Sequence, residues 1–101
     1  MKNLYLVLKN PWFDMIKSGE KKEEYRELSE FYKRRFYDKS GNLKKFDTLE
    51  FVLGYPRKDD MSKRLFFSEP TITIRQGKPE WGAEAGKEYF VITWKHWKDD
   101  V

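Results

Sequence analysis

The chain has 101 residues, which is enough for one domain and too few for a multi-domain enzyme or a large cofactor-bearing fold. Its 21 Lys and Arg residues outnumber its 17 Asp and Glu residues, and the net charge of +4 permits an anionic partner without requiring one. Cysteine is absent and there is one histidine, which excludes a disulfide framework, a cysteine nucleophile and a His-rich metal cage. We therefore expect no metal and no cofactor.

The aromatic content indicates that the chain folds. Charged residues make up 38% of it and hydrophobic residues 39%, a balance that by itself favours disorder. Aromatic residues make up 18%, however, and each buried aromatic removes about 150–250 Å² from water. We treat residues 1–101 as a single domain with a charged shell. No apolar run approaches the roughly 18 residues of a membrane span and no signal peptide is evident, so we expect a cytoplasmic protein without membrane contact.

The first half of the chain predicts a strand and two helices. Residues 4–8 form a short apolar run, which is typical of a strand. Asn10 and Pro11 mark the start of a short helix, which Ser18 and Gly19 end. Ser29 opens a second helix, from Glu30 to about Tyr37. Its periodic face is expected to consist of Leu28, Phe31, Tyr32, Arg35 and Phe36.

The second half predicts strands. Residues 48–53, 64–68, 71–75 and 88–94 alternate or are apolar, Pro70 separates the second from the third, and residues 76–86 form a long Gly-containing loop. Helices followed by several short strands indicate an α+β domain. We expect a small curved sheet or β-barrel of about five or six strands, with two N-terminal helices.

The charge run at residues 20–27 is the most informative segment. As a strand it would present Lys22, Glu24 and Arg26 on one face, with Lys21 on the other. It is either a solvated turn with an exposed strand or the wall of a polar pocket. In a pocket, Arg26 would fork onto a phosphate or carboxylate, Glu24 would accept from the amino group of a base, and Lys21 would lose its proton on burial and act as a base.

Residues 19–26 have the form G-x-K-x-x-E-x-R and follow a predicted strand and short helix. This arrangement resembles the ASCH domain (activating signal cointegrator homology), a family related to the RNA-binding PUA domains. The segments GKPEWG at 77–82 and GKEYFVI at 86–92 also look like small phage and bacterial members of the family. The resemblance implies a small PUA-like β-barrel with a cleft beside the motif that takes RNA or a nucleotide.

One branch of the family is similar in its motif and deacetylates 4-acetylcytidine. Its motif reads G-x-K-x-x-T-x-R, with Lys and Thr catalytic and a further Glu downstream. Lys21 matches the Lys, but the Thr position is Glu24, so the hydroxyl nucleophile is missing. The downstream acid stays open between Glu50, Glu69 and Glu80.

Two further basic segments are candidates for contacts with phosphates or bases. Arg34 and Arg35 lie on the second helix and either form an ordinary soluble surface or contact phosphates. Tyr55 and Arg57 lie in a polar loop whose aromatic beside cations suits stacking on a base. The alternative there is an ordinary loop.

Three functional classes follow from these observations. The first is a binding module for RNA, a nucleotide or a modified nucleoside, with Lys21, Glu24 and Arg26 in the pocket and Arg34, Arg35, Tyr55 and Arg57 on its rim. The second is a small hydrolase of a modified nucleoside or of RNA, in which Lys21 and Glu24 are catalytic and Glu24 activates water. The third is a protein-interaction domain whose aromatics form a docking face.

Overall fold

The computed structural model describes residues 2–96. Its helices and strands are β1 (Asn3–Leu8), α1 (Trp12–Lys17), β2 (Glu24–Arg26), α2 (Glu30–Phe36), β3 (Thr48–Leu53), β4 (Arg64–Gln76) and β5 (Glu88–Lys95). Short 3₁₀ turns lie at Met61–Lys63 and Pro79–Trp81. The α+β class is confirmed. No helix within residues 2–96 has the length and apolar character needed to cross a membrane.

All five strands belong to one mixed sheet in the order β1-β3-β4-β5-β2. The strands β3, β4 and β5 follow each other as an antiparallel meander, and β2 pairs antiparallel to β5. The strand β1 pairs parallel to β3. Consequently β1 and β2, the two strands that flank α1 in sequence, lie at opposite edges of the sheet.

The expected closed barrel is wrong, because β1 and β2 do not pair through their backbones. Side chains bridge the two edges instead. Arg26 on β2 donates from Nη2 to the carbonyl oxygen of Val7 at 2.8 Å, and Arg35 on α2 donates to the carbonyl oxygen of Tyr5. With three residues, β2 is too short to complete a ladder along β1. The result is a curled sheet with a seam that arginines span.

The core lies on the inner face of this sheet. Alternation along β1 buries Leu4, Leu6 and Leu8, while α1 contributes Phe13 and α2 contributes Phe36. A second, smaller cluster lies on the outer face, under the loop that joins β4 to β5. Its members are Tyr25, Ala83, Tyr89 and Val91, with Trp81 packed against them.

Pro70 does not end a strand, contrary to the prediction. The strand β4 runs through it, with a bulge between Ser68 and Thr71. A bulge tolerates proline because the residue inside it owes no hydrogen bond to the neighbouring strand. Glu69 adopts a φ of +48° there, and its N–H donates to the carbonyl oxygen of Asp47 at 3.0 Å.

The periodic face predicted for α2 is wrong at one residue. Phe36 is fully buried, as an apolar-face residue should be, but Phe31 keeps 65% of its surface exposed. The helix begins as predicted, with the Ser29 hydroxyl accepting from the N–H of Tyr32 at 3.3 Å. The exposure of Phe31 arises because α2 spans only seven residues, and its first turn extends past the sheet edge.

Candidate functional site

Lys21, Glu24 and Arg26 converge into one cluster, named here the motif triad. The Lys21 Nζ atom lies 2.7 Å from Glu24 Oε1, and Arg26 Nη1 lies 2.7 Å from Glu24 Oε2. The side chains of Lys21 and Glu24 are 1% and 6% exposed, and that of Arg26 is 15% exposed. One buried carboxylate therefore carries a cation on each of its two oxygens.

Strand pairing positions two members of the triad. In register with β5, Glu24 lies opposite Ile92 and Arg26 lies opposite Phe90. Both β5 residues belong to the inner core, so Glu24 and Arg26 point to the inner face beside the seam.

Lys21 reaches the same carboxylate from outside the strand. Gly19, with a φ of +88°, follows the end of α1, and the N–H of Lys21 then donates to the carbonyl oxygen of Met15 at 2.9 Å. The predicted strand over the charge run would have placed Lys21 opposite Glu24. That expectation is wrong, because β2 begins only at Glu24 and the preceding loop turns Lys21 inward.

The Lys21 ammonium group occupies a partly aromatic enclosure. It donates to the carbonyl oxygen of Glu23 at 2.6 Å as well as to Glu24, and its Nζ atom lies 4.9 Å from the Tyr25 ring centre and 5.6 Å from that of Trp12. Cation–π attraction thus adds to two hydrogen bonds. Burial lowers the pKa of Lys21 from its ordinary value, although the Glu24 carboxylate opposes this shift.

Arg26 has unused hydrogen-bonding capacity. Its two Nη atoms bond Glu24 and the Val7 carbonyl oxygen, and its guanidinium lies 5.8 Å from the ring centre of Tyr32. Its buried Nε–H has no partner within residues 2–96. Two cations and one anion give the triad a formal net charge of +1, and its unsatisfied group is a donor.

A second charged cluster supports the triad from the outer face. The Tyr25 hydroxyl donates to Glu23 Oε1 at 2.8 Å and accepts from the N–H of Lys78 at 2.9 Å. Burial raises the pKa of Tyr25 to about 12. Arg75 donates to both oxygens of the Glu23 carboxylate, and this lowers the pKa of Glu23.

Family models, curated proteins and solved structures return no match to this chain. The case for its site therefore rests on the geometry of its own residues.

The predicted rim divides into two groups at different levels of the seam. Arg34 and Arg35 lie on α2, with Arg35 bonded at Tyr5. Tyr55 and Arg57 lie in the loop after β3, which starts where the N–H of Gly54 donates to the Leu8 carbonyl oxygen at 2.9 Å. Tyr55 is 92% exposed. No hydrogen bond joins either group to the triad in the part of the chain that the structure describes.

The triad does not line the open hollows of the surface. One hollow of about 520 Å³ is bounded by Glu30, Phe31, Arg34 and Arg35. Two others of about 480 Å³ lie beside the bulge in β4 and beside the loop before β5. A ligand that reaches Lys21 must therefore displace a covering side chain such as Trp12, whose ring also packs where a Cβ on Gly82 would lie 3.0 Å away.

The acidic residues considered as a downstream partner have other roles. Glu50 pairs with Arg64 at 2.8 Å, and Glu69 pairs with Lys95 at 3.7 Å. Glu80 lies exposed in the 3₁₀ turn before β5. The acid that adjoins the triad is Glu23, which the strand reading had placed on the far face. Its signal in the sequence is its alternation with Tyr25, which β2 also directs outward. Among residues 2–96, no group of three or more His, Asp and Glu side chains is arranged to hold a metal.

Proposed function

We propose that this chain is an RNA-binding module of ASCH type that takes one nucleotide or modified nucleoside of its ligand at the motif triad. The observation that carries the proposal is the buried Glu24 carboxylate with Lys21 and Arg26 on its two oxygens. Buried charges are costly unless they are paired, and this cluster retains a net positive charge and an unpartnered donor at Arg26 Nε. An oxygen-rich anionic ligand would match both.

The arrangement favours a different role for Glu24 from the one expected from the sequence. Both of its oxygens already accept from cations, so Glu24 orients Lys21 and Arg26 rather than reading the amino group of a base. The ligand is then recognised through acceptor oxygens, either a base carbonyl or a phosphate. Arg suits this role because its planar fork can donate to two oxygens while remaining bonded to the protein.

The hydrolase remains the second candidate because burial lowers the pKa of Lys21 towards the range in which an amine acts as a base. Against it, Glu24 supplies no hydroxyl nucleophile, so hydrolysis would proceed through an activated water. A general base contributes about 10²–10⁴-fold to a rate, well below the acceleration of most enzymes. We therefore expect little or no turnover of 4-acetylcytidine.

The test measures binding and turnover on the same preparation. A labelled single-stranded RNA of about ten nucleotides should bind with a log–log salt slope of about −0.7 for each phosphate contacted. Arg34→Ala with Arg35→Ala should weaken binding and flatten the slope. Lys39→Ala, which removes an exposed charge from the turn after α2, should leave the slope nearly unchanged.

Cytidine release from 4-acetylcytidine then separates the two functions. Absence of release together with salt-dependent RNA binding supports the binding module. Robust release that disappears in Lys21→Ala, with the variant still folded by circular dichroism, would replace the binding module with the hydrolase. An RNA affinity that does not respond to salt or to the arginine substitutions would remove α2 from the interface.

A further inference from the structure

Three exposed aromatic side chains follow the open edge of β1. Phe31 on α2 is 65% exposed, Tyr5 on β1 is 38% exposed, and Tyr55 in the loop after β3 is 92% exposed. Large apolar side chains on a small monomeric domain usually find a partner when several lie in one region. These three do not contribute to either of the buried clusters.

Cations alternate with these aromatics. Arg34 and Arg35 flank Phe31 and line the hollow of about 520 Å³ beside it. Arg57 and Lys58 follow Tyr55 and are exposed. Aromatic faces interleaved with cations are the combination that binds single-stranded nucleic acid, because every base can stack and every phosphate carries charge.

Contacts along β1 make these groups parts of one surface. Arg35 donates to the carbonyl oxygen of Tyr5, and Arg26 donates to that of Val7. Two residues of strand separate these carbonyls by about 6.6 Å. The loop that carries Tyr55 begins one residue further, where Gly54 bonds Leu8. The aromatics therefore stand beside one edge, with Arg26 of the triad between α2 and the loop.

The same contacts argue against a protein strand as the occupant. A peptide that adds to a sheet edge needs the free carbonyl and N–H groups of that edge. The outward carbonyls of Tyr5 and Val7 already accept from Arg35 and Arg26. The edge is therefore blocked for strand addition, while the guanidinium groups on it favour an anion.

We infer that the ligand is an extended single strand of RNA that lies along the β1 edge, with bases stacked on Phe31 and Tyr55 and a phosphate on Arg34. This inference rests on the proposed function and extends it from a nucleotide pocket to an oligonucleotide track. Phe31 is the residue that the track adds, and it is the most informative one to change because it is exposed and outside the core.

The test compares two substitutions at Phe31 by fluorescence anisotropy with a labelled oligocytidylate of about ten nucleotides. Phe31→Leu keeps an apolar side chain but removes the stacking face, and it should raise Kd by about five-fold or more. Phe31→Tyr keeps the ring and should bind within about two-fold of the wild type. Phe66→Leu is the control, since Phe66 is 43% exposed on β4, two strands away from β1.

Cytidine monophosphate distinguishes the track from the triad. We expect it to bind more weakly than the oligonucleotide and to be insensitive to Phe31→Leu. If the wild-type chain binds both ligands but Phe31→Leu has no effect on the oligonucleotide, the track is wrong and the proposed function stands. If the wild-type chain binds neither, both fail. An equal loss in Phe31→Leu and Phe66→Leu would also overturn the track.

Discussion

At the scale of single residues, the molecule depends most on Glu24. Its carboxylate is buried and neutralises two cations that would otherwise be desolvated without a counter-charge. Breaking a buried pair costs more than the pair contributes, because the remaining charge has no partner. The triad is therefore a structural constraint as well as a candidate binding site, and substitutions there must be judged on both readouts.

Glu24→Gln should lower the free energy of unfolding by about 3–5 kcal/mol, because Lys21 and Arg26 then share a neutral amide. Urea denaturation followed by circular dichroism measures this change. Glu30→Gln is the matched control, since the pair between Glu30 and Lys33 spans 3.8 Å and is largely exposed. The control should change stability by less than about 0.5 kcal/mol. Similar losses in the two variants would contradict the burial argument.

Tyr25 makes the stability depend on alkaline pH. Its pKa is raised to about 12 in the folded chain, against an ordinary value of 10.0, so the folded state retains a proton that the unfolded state releases. The free energy of unfolding should therefore fall as pH rises from 10 to 12, by on the order of 2 kcal/mol.

Tyr25→Phe isolates this effect, because phenylalanine does not titrate and the other tyrosines are common to both chains. It loses the hydrogen bonds to Glu23 and Lys78, so it should be less stable than the wild type at pH 8. The difference should then shrink as pH approaches 12. Urea midpoints measured across this range test the prediction, and parallel curves for the two chains would refute it.

The residue types of the triad could be predicted from sequence, but not their mutual contacts. Alternation along a strand correctly places Glu24 and Arg26 on one face. The position of Lys21 depends on where β2 begins, which local pattern does not define in a run of charged residues. Phe31 fits the helical period and still lies in solvent, because the sheet ends before the helix does.

At the scale of elements, turn and cap chemistry predicted the helices well and the long strand poorly. Ser29 and Gly19 act as their side-chain chemistry implies. Pro70 misled because a proline breaks a regular strand but not a bulged one. Whether a bulge forms depends on the partner strand β5, which is distant in sequence and was assigned independently.

The loop between β4 and β5 is fixed at Gly77 by close packing. A Cβ on Gly77 would lie 2.6 Å from the Tyr25 ring and 2.8 Å from the Ala83 side chain. Gly77→Ala should therefore destabilise the fold by about 1–3 kcal/mol through overpacking. Glu80→Ala, in the exposed 3₁₀ turn of the same loop, should have little effect on the unfolding midpoint. A stable Gly77→Ala variant would show that the loop relaxes freely.

At the scale of the whole molecule, composition and element order predicted the class but not the closure of the sheet. Five strands and two helices were within reach because each has a local signal. Closure was not, because it depends on whether β1 and β2 can pair, and β2 proved too short. Arginines from β2 and α2 satisfy the β1 edge instead, so the seam is polar rather than a continuous ladder.

The position of β1 and β2 at opposite edges also determines when the motif triad becomes buried as the chain is made. Leu4 pairs with Leu49, and Glu24 pairs with Ile92 near the far end of the described chain. A ribosome therefore releases the charge run long before its partner strand exists. Until then Lys21, Glu24 and Arg26 remain hydrated, and their charges keep the emerging segment from associating with other nascent chains.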